Sequence, residues 1–315
     1  MLPQVEAVLL DVDGVIVNVA ETFRVVVCEA AQFYCEQFLG FERDGRLIYP
    51  SEVELFKRAG GFNNDWDVTL AVVLLAIAKS LRYETKNPRR LREWAPTLEE
   101  FTDEIARRGG GLSVAEAYVL EYLDSPTLRR ELSLQWNQRT IVQIFQEIYA
   151  GNQYCKRLYG FDPEHVQSEG YVDKERVLLN PRLIPPSVKL GVLTGRTLEE
   201  TRLVLQRADL TDLIPEGHWV THDDGVQKPD GRALALLAER LRFRLAIYVG
   251  DTLDDWRTVC RYRELRGAGR SKVIGCLVLT GAAGAQNQTL FLEQGAEIVA
   301  PDVNAVMTFL GTMLR

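Results

Sequence analysis

Histidine, methionine and cysteine are scarce: the 315-residue chain holds three, three and five of them. The cysteines (Cys28, Cys35, Cys155, Cys260 and Cys276) are odd in number and scattered, and nowhere form the CxxC pairs that zinc sites use. Reduced thiols are therefore expected. His165, His218 and His222 are too dispersed to suggest a metal triad. Positive charge is also short, with 37 Lys and Arg against 44 Asp and Glu and a formal net charge of -7. That balance argues against a nucleic-acid surface, whose affinity comes from clustered cations, while a small anionic ligand needs only a few. Long apolar runs are missing as well. The most apolar stretch, VTLAVVLLAIA from Val68 to Ala78, is about half of the roughly 20 residues a membrane-spanning helix needs, and reads as a buried helix. No basic start leads into an apolar segment and a small-residue cleavage site at the N-terminus. A cytoplasmic protein without nucleic-acid or membrane partners is expected, its oligomeric state left open.

What is present falls into two textures. The 46% hydrophobic and 26% charged content is that of an ordinary globular protein and excludes a disordered one. Ala7 to Leu10 reads as a short buried strand. From Glu21 to about Tyr159 the segments TFRVVVCEAAQFYCEQF, WDVTLAVVLLAIAKSLRY, VAEAYVLEYL and RTIVQIFQEIYAG repeat apolar residues at three and four, which predicts helices. KRAGGFNND and RRGGGLS break them and read as loops. After Pro185 and Pro186 the pattern turns to strand, turn, helix, repeatedly: KLGVLTG then LEETRLVLQRA, HWVTHDDG then RALALLAERL, LAIYVGD then DDWRTVCRY, KVIGCLVLTG then TLFLEQG, and AEIVAPD before a last helix. This alternation predicts an α/β fold, a doubly wound parallel sheet covered on both faces, with a large all-helical domain inserted after the first strand. The expected boundaries are residues 1–19 and 180–315 for the core and 20–179 for the insert.

In such sheets ligands bind beyond the carboxyl ends of the strands, where the strand order reverses. Those ends carry Asp11 and Asp13, then Thr194, Gly195 and Arg196, then Lys228 before Pro229, then Gly250 and Asp251 with Asp254 and Asp255 beyond. Two acids closing an apolar strand pose a burial problem that a cation between them would relieve. Mg²⁺ favours carboxylate oxygens and commonly also holds a substrate phosphate, and Asp11, Asp251 and Asp255 suit it. A carboxylate so placed can attack phosphorus, with a second carboxylate two residues on moving protons. On this reading Asp11 is the nucleophile and Asp13 the acid/base, while Thr194, the Gly195 amide and Lys228 donate to phosphoryl oxygens.

In this order DVDGV, LTG, the Lys of QKPDG and GDTLDD resemble the four motifs of the haloacid dehalogenase superfamily, a Rossmann-like fold. The resemblance implies a phosphatase that works through an aspartyl-phosphate. Its Mg²⁺ would be held by Asp11, the Asp13 backbone carbonyl, Asp251 and an acid four residues later, with Asp255 at that position and Asp254 beside it as the rival. The helical insert lies where subfamily IA carries its C1 cap, here enlarged, which in that family recognises the leaving group of a sugar or other metabolite phosphate. GGFNNDW is similar to a segment in one branch of that subfamily. Lys57, Arg58, Asn63, Asn64, Asp65 and Trp66 are the candidate substrate residues there, with glycines between them to let the loop approach the core; the other reading has Asp65 capping the next helix. Arg196 either contacts substrate or steadies the helix that follows it. A phosphomutase of the β-phosphoglucomutase type is the alternative activity, although those enzymes carry Asp four residues after the motif glycine and this chain has Asn18. A non-catalytic phosphate-binding protein is a third.

Overall fold

A computed structural model describes residues 4–19, 21–62, 64–265, 271–281 and 284–314, with nothing said of the side chain of residue 285. The chain divides into two compact units, Met1–Ala20 with Glu175–Arg315, and Glu21–Lys174.

In the first unit the strands are β1 (Ala7–Leu10), β2 (Val17–Asn18), β3 (Arg176–Val177), β4 (Lys189–Leu193), β5 (Trp219–Val220), β6 (Leu245–Gly250), β7 (Lys272–Val278) and β8 (Ile298–Ala300). Six of them form one parallel sheet in the order β5-β4-β1-β6-β7-β8, so the strand order reverses at β1, between β4 and β6. β1 is buried along its whole length, as a central strand covered on both faces must be. Its alternate residues serve opposite cores. Val8 and Leu10 pack with Val204, Leu205, Val303 and Leu310, while Ala7 and Leu9 pack with Leu234, Leu237, Val259 and Phe291. The separate ribbon of β2 and β3 is antiparallel and pairs Val17 with Val177 and Asn18 with Arg176. Residues 175–179 fall with the core unit. The amides of Leu178 and Leu179 donate to the Ile16 carbonyl, which binds this segment to the core unit.

The second unit is helical: α1 (Phe23–Leu39), α2 (Val53–Ala59), α3 (Asp65–Tyr83), α4 (Pro88–Glu93), α5 (Leu98–Arg107), α6 (Leu112–Tyr122), α7 (Pro126–Gln135) and α8 (Gln138–Tyr159). In the core unit α9 (Leu198–Arg207), α10 (Gly231–Leu241), α11 (Leu253–Glu264), α12 (Gln288–Glu293) and α13 (Val303–Met313) follow the strands. The centre of the helical unit is α3, buried from Val68 to Ser80 and packed against α1 and α8. An α-helix apolar all round belongs in an interior. None of the described helices is long and apolar enough to cross a membrane. Lys79 is the charged exception in that buried stretch: 3% exposed, it donates to the Trp94 and Pro96 carbonyls, and burial pushes its ammonium down to about 8. All five cysteines are free thiols, four of them buried.

Leu74 is fully buried in α3. Truncation to Ala is expected to cost about 2–5 kcal/mol through lost burial and the cavity left behind, read as an earlier urea transition by circular dichroism at 222 nm.

Candidate active site

The ladder of β1 carries one bond past its end, from the Asp11 amide to the Val249 carbonyl at 2.9 Å, and then the chain turns. The Val12 carbonyl accepts from the amides of Val15, Ile16 and Val17, closing a tight loop. Asp11 and Asp13 are therefore gathered by a turn rather than by strand alternation. Gly14 makes that turn possible with φ +71°, a conformation that costs glycine no steric strain. It also makes room: a Cβ there would stand 2.3 Å from Asp251 Oδ2. Gly281 flanks the same carboxylate from another side, where a Cβ would fall 2.2 Å from Oδ2.

Lys228 stands at the centre. Its Nζ, 6% exposed as a side chain, lies 2.7 Å from Asp11 Oδ2 and 2.8 Å from Asp255 Oδ1. Burial alone would lower its pKa, but the two carboxylates hold it above the ordinary lysine value. Asp11 is 4% exposed, and among the described residues its remaining hydrogen-bond donor is the Val12 amide, 2.7 Å from Oδ1. Each Asp11 oxygen thus carries one donor and keeps acceptor capacity. Asp255 is different. Oδ1 takes Lys228 and the Tyr248 hydroxyl at 2.6 Å, and Oδ2 takes the amides of Asp251 and Thr252 and the Thr252 hydroxyl at 3.1, 3.0 and 2.7 Å. Although burial pushes Asp255 upward, Lys228 and these donors hold it below the usual carboxylate range.

One carboxylate oxygen from each of Asp11, Asp251 and Asp255 falls within 4.8 Å of the others. Among the described residues none donates to the Asp251 side chain. Burial raises Asp11 to about 7, with Lys228 opposing and Asp255 and Asp13 adding to the rise. Asp251 is raised well above its ordinary value by burial and by Asp255 and Asp11. Buried like charges of this kind are relieved by a bound cation. A hard dication fits here: oxygen donors only, an Asp251 carboxylate without a hydrogen-bond donor among the described residues, and glycine on two sides of it. Asp11 and Asp251 are the residues with acceptor capacity for it, and Asp255 contributes charge and order. Asp254 belongs elsewhere, its Oδ1 taking Arg257 at 2.9 Å.

Thr194 ends β4, 4% exposed, and its hydroxyl accepts the Arg196 amide at 3.2 Å, which leaves its O–H to donate. Arg196 is buried and forks between Asp13 and Glu175, so its guanidinium is already engaged within the core. The helical unit's candidates are engaged too. Lys57 on α2 donates to the Phe62 carbonyl at 2.9 Å and pairs with Asp65 at 3.1 Å, and the exposed Arg58 lies 3.8 Å from Glu54. Asn64 is buried and precedes α3, which begins at Asp65, so Asp65 is the first helical residue and not its cap. Trp66 meets Phe145 edge-on at 6.2 Å, and Asn63 lies outside the described residues. The glycines of this loop pack on RRGGGLS of the same unit: the Gly111 amide donates to the Gly60 carbonyl at 2.9 Å, and a Cβ on Gly61 would meet Gly111 N at 2.8 Å. A cavity of about 670 Å³ in this unit is lined instead by Glu29, Gln32, Glu36, Arg43, Arg46 and Tyr171, among others. Tyr248, Thr252 and Glu175 escaped the sequence reading. Tyr248 had a signal, a phenol inside an otherwise aliphatic strand whose hydroxyl needs a partner.

The whole architecture has solved counterparts. A phosphatase from Thermococcus thioreducens superposes with a TM-score of 0.60 at 24% identity, over 98% of both chains. The chain has the fold of that phosphatase. A structural-genomics protein also superposes on this chain at a TM-score of 0.60, with 16% identity over 98% of this chain and 99% of the other. At these identities the likeness is one of fold. A protein of Phytophthora nicotianae named imidazoleglycerol-phosphate dehydratase is 23% identical over 257 residues, or 81% of this chain and 41% of that protein. The chain thus spans about two fifths of that relative's length. No family model matches.

Gly14→Ala is expected to weaken Mg²⁺ or Mn²⁺ binding at least about tenfold, because the methyl group displaces Asp251. Calorimetric titration of the folded variant checks this, and unchanged affinity would remove Asp251 from the ligand set.

Proposed function

We propose that this chain is a Mg²⁺-dependent phosphomonoesterase of small organic phosphates, a sugar or other metabolite phosphate, working through an aspartyl-phosphate on Asp11. The observation that carries the proposal is the buried Asp11 carboxylate, with spare acceptor capacity on each oxygen and the Lys228 ammonium 2.7 Å away, at the point where the strand order reverses.

The chemistry follows from the side chains. An Asp11 oxygen attacks phosphorus while Asp13 gives its proton to the ester oxygen, so the P–O bond to the leaving alcohol breaks as the bond to Asp11 forms. Asp13, now a carboxylate, takes a proton from water, whose oxygen attacks the same phosphorus and returns Asp11 with release of inorganic phosphate. Lys228, the Thr194 hydroxyl and the Gly195 amide donate to the non-bridging oxygens as negative charge gathers there. Asp11, Asp251 and the Asp13 carbonyl would hold Mg²⁺, with Asp255 behind them. When bound, the ion lessens repulsion between the anionic phosphate and the attacking carboxylate. The substrate roles of Lys57, Arg58, Asn64, Asp65 and Trp66 belong to this proposal, and the Lys57–Asp65 pair would have to open for either to bind an ester.

A phosphate-release screen over sugar phosphates, other metabolite phosphates and imidazoleglycerol phosphate tests the proposal. Wild type is expected to release phosphate with Mg²⁺ and to stop with EDTA, and Asp11→Asn to lose at least about 10³-fold in kcat. Undiminished turnover in Asp11→Asn would reject it. Transfer of the phosphoryl group back to the product, with no free phosphate, would favour a mutase instead.

A further inference from the structure

The acid/base role of Asp13 demands one oxygen that can carry a proton and a carboxyl group that does not rotate. The bonds around it meet both demands. Arg196 Nε and Nη2 both donate to Asp13 Oδ1, at 2.9 and 2.6 Å, and among the described residues none donates to Oδ2. A guanidinium facing a single carboxylate ordinarily binds it through two parallel bonds, one to each oxygen. Here a second carboxylate competes for the fork. Glu175 Oε1 takes Arg196 Nη2 at 2.7 Å and Glu175 Oε2 takes Nη1 at 3.3 Å. Arg196 and Glu175 are 2% and 3% exposed as side chains, whereas Asp13 is 30% exposed. The buried end of the trio is fixed, and the end facing solvent carries the oxygen with acceptor capacity.

The backbone explains how Glu175 comes to be there. It immediately precedes β3, whose pairing with β2 ties the returning chain to the loop that holds Asp13. Within that loop the Gly14 amide donates to the Val17 carbonyl at 2.8 Å, and Asp13 bridges to Val17. On the other side the Arg196 amide is held by Thr194, and its carbonyl accepts the His222 amide at 2.8 Å. Arg196 and Glu175 are thus each held by backbone bonds of their own segments.

We propose that Arg196 and Glu175 are a positioning pair for the general acid: Arg196 pins Asp13 Oδ1, and Glu175 occupies the rest of the guanidinium so that Oδ2 stays open to carry the proton. The proposal rests on the phosphatase reading above. It makes Glu175 a residue whose loss damages proton transfer to the leaving group without altering the nucleophile or the phosphate donors.

Leaving-group dependence reads this directly. A nitrophenolate departs with little need of a proton, whereas a sugar alkoxide requires one, so in the step that forms the aspartyl-phosphate a displaced general acid harms only the second; hydrolysis of the intermediate is common to both. Glu175→Ala is expected to lower kcat/KM, which reports the steps up to departure of the leaving group, by about 10²-fold on the preferred alkyl phosphate and by less than about threefold on p-nitrophenyl phosphate. Glu175→Gln keeps the buried volume and one acceptor oxygen, so it should recover part of the alkyl-phosphate rate, and it serves as the measured variant if the alanine chain does not fold. Equal losses on both substrates in the folded variant, or no loss on either, would overturn the pairing. Asp11→Asn run alongside separates the two ideas: turnover that survives there overturns the phosphatase reading itself, whatever Glu175 does.

Discussion

The rest of the site depends on a buried ammonium set between two carboxylates. Lys228 reaches Asp11 and Asp255 at nearly equal distances, 2.7 and 2.8 Å, and all three groups are removed from water. Desolvation on this scale is tolerable only with compensating charge and full hydrogen bonding. The compensation is incomplete without a further cation: three carboxylates, Asp11, Asp251 and Asp255, face one ammonium. A dication would balance that sum beside Asp11 and Asp251, the two carboxyl groups that burial and their neighbours push upward. The same imbalance explains why Asp255 carries five donors while Asp251 has none among the described residues. One acid is spent on order, and the other keeps its acceptor capacity.

Much of this was legible in the chain because the relevant spacings are short. The strands from KLGVLTG, LAIYVGD and KVIGCLVLTG formed where alternation and turn residues placed them, and the long apolar helix is buried where its composition required. TLDD at residues 252–255 is instructive. It can be read as a helix cap or as part of a charged site, and both are true: Thr252 and Asp255 form the capping box of α11 while Asp255 holds Lys228. The two readings coexist because one carboxylate has two oxygens to share.

The less legible features share a cause. Glu175 lies in a segment without apolar periodicity, and the antiparallel ribbon that delivers it joins residues far apart in the chain. Lys57 and Asp65 looked like open polar contacts because sequence gives no sign that α2 ends in a turn that folds Asp65 back on the lysine. The glycines between them have the same history. Their freedom serves a close crossing of two loops, Gly60 and Gly61 against Gly110 and Gly111, within the helical unit.

The pair of acids that closes the first strand shows what geometry adds to spacing. Two residues apart in a continuing strand, Asp11 and Asp13 would share one environment and repel each other there. The chain turns immediately after Asp11 instead, and the two are given opposite partners. Asp11 sits beside an ammonium with acceptor capacity on both oxygens, as a nucleophile and ligand requires. Asp13 meets a guanidinium through one oxygen alone, as a proton carrier requires. In the proposed mechanism the division of labour comes from what each carboxylate is bonded to. Gly14, which permits the turn and leaves room for Asp251 beside it, is as necessary to that division as either acid.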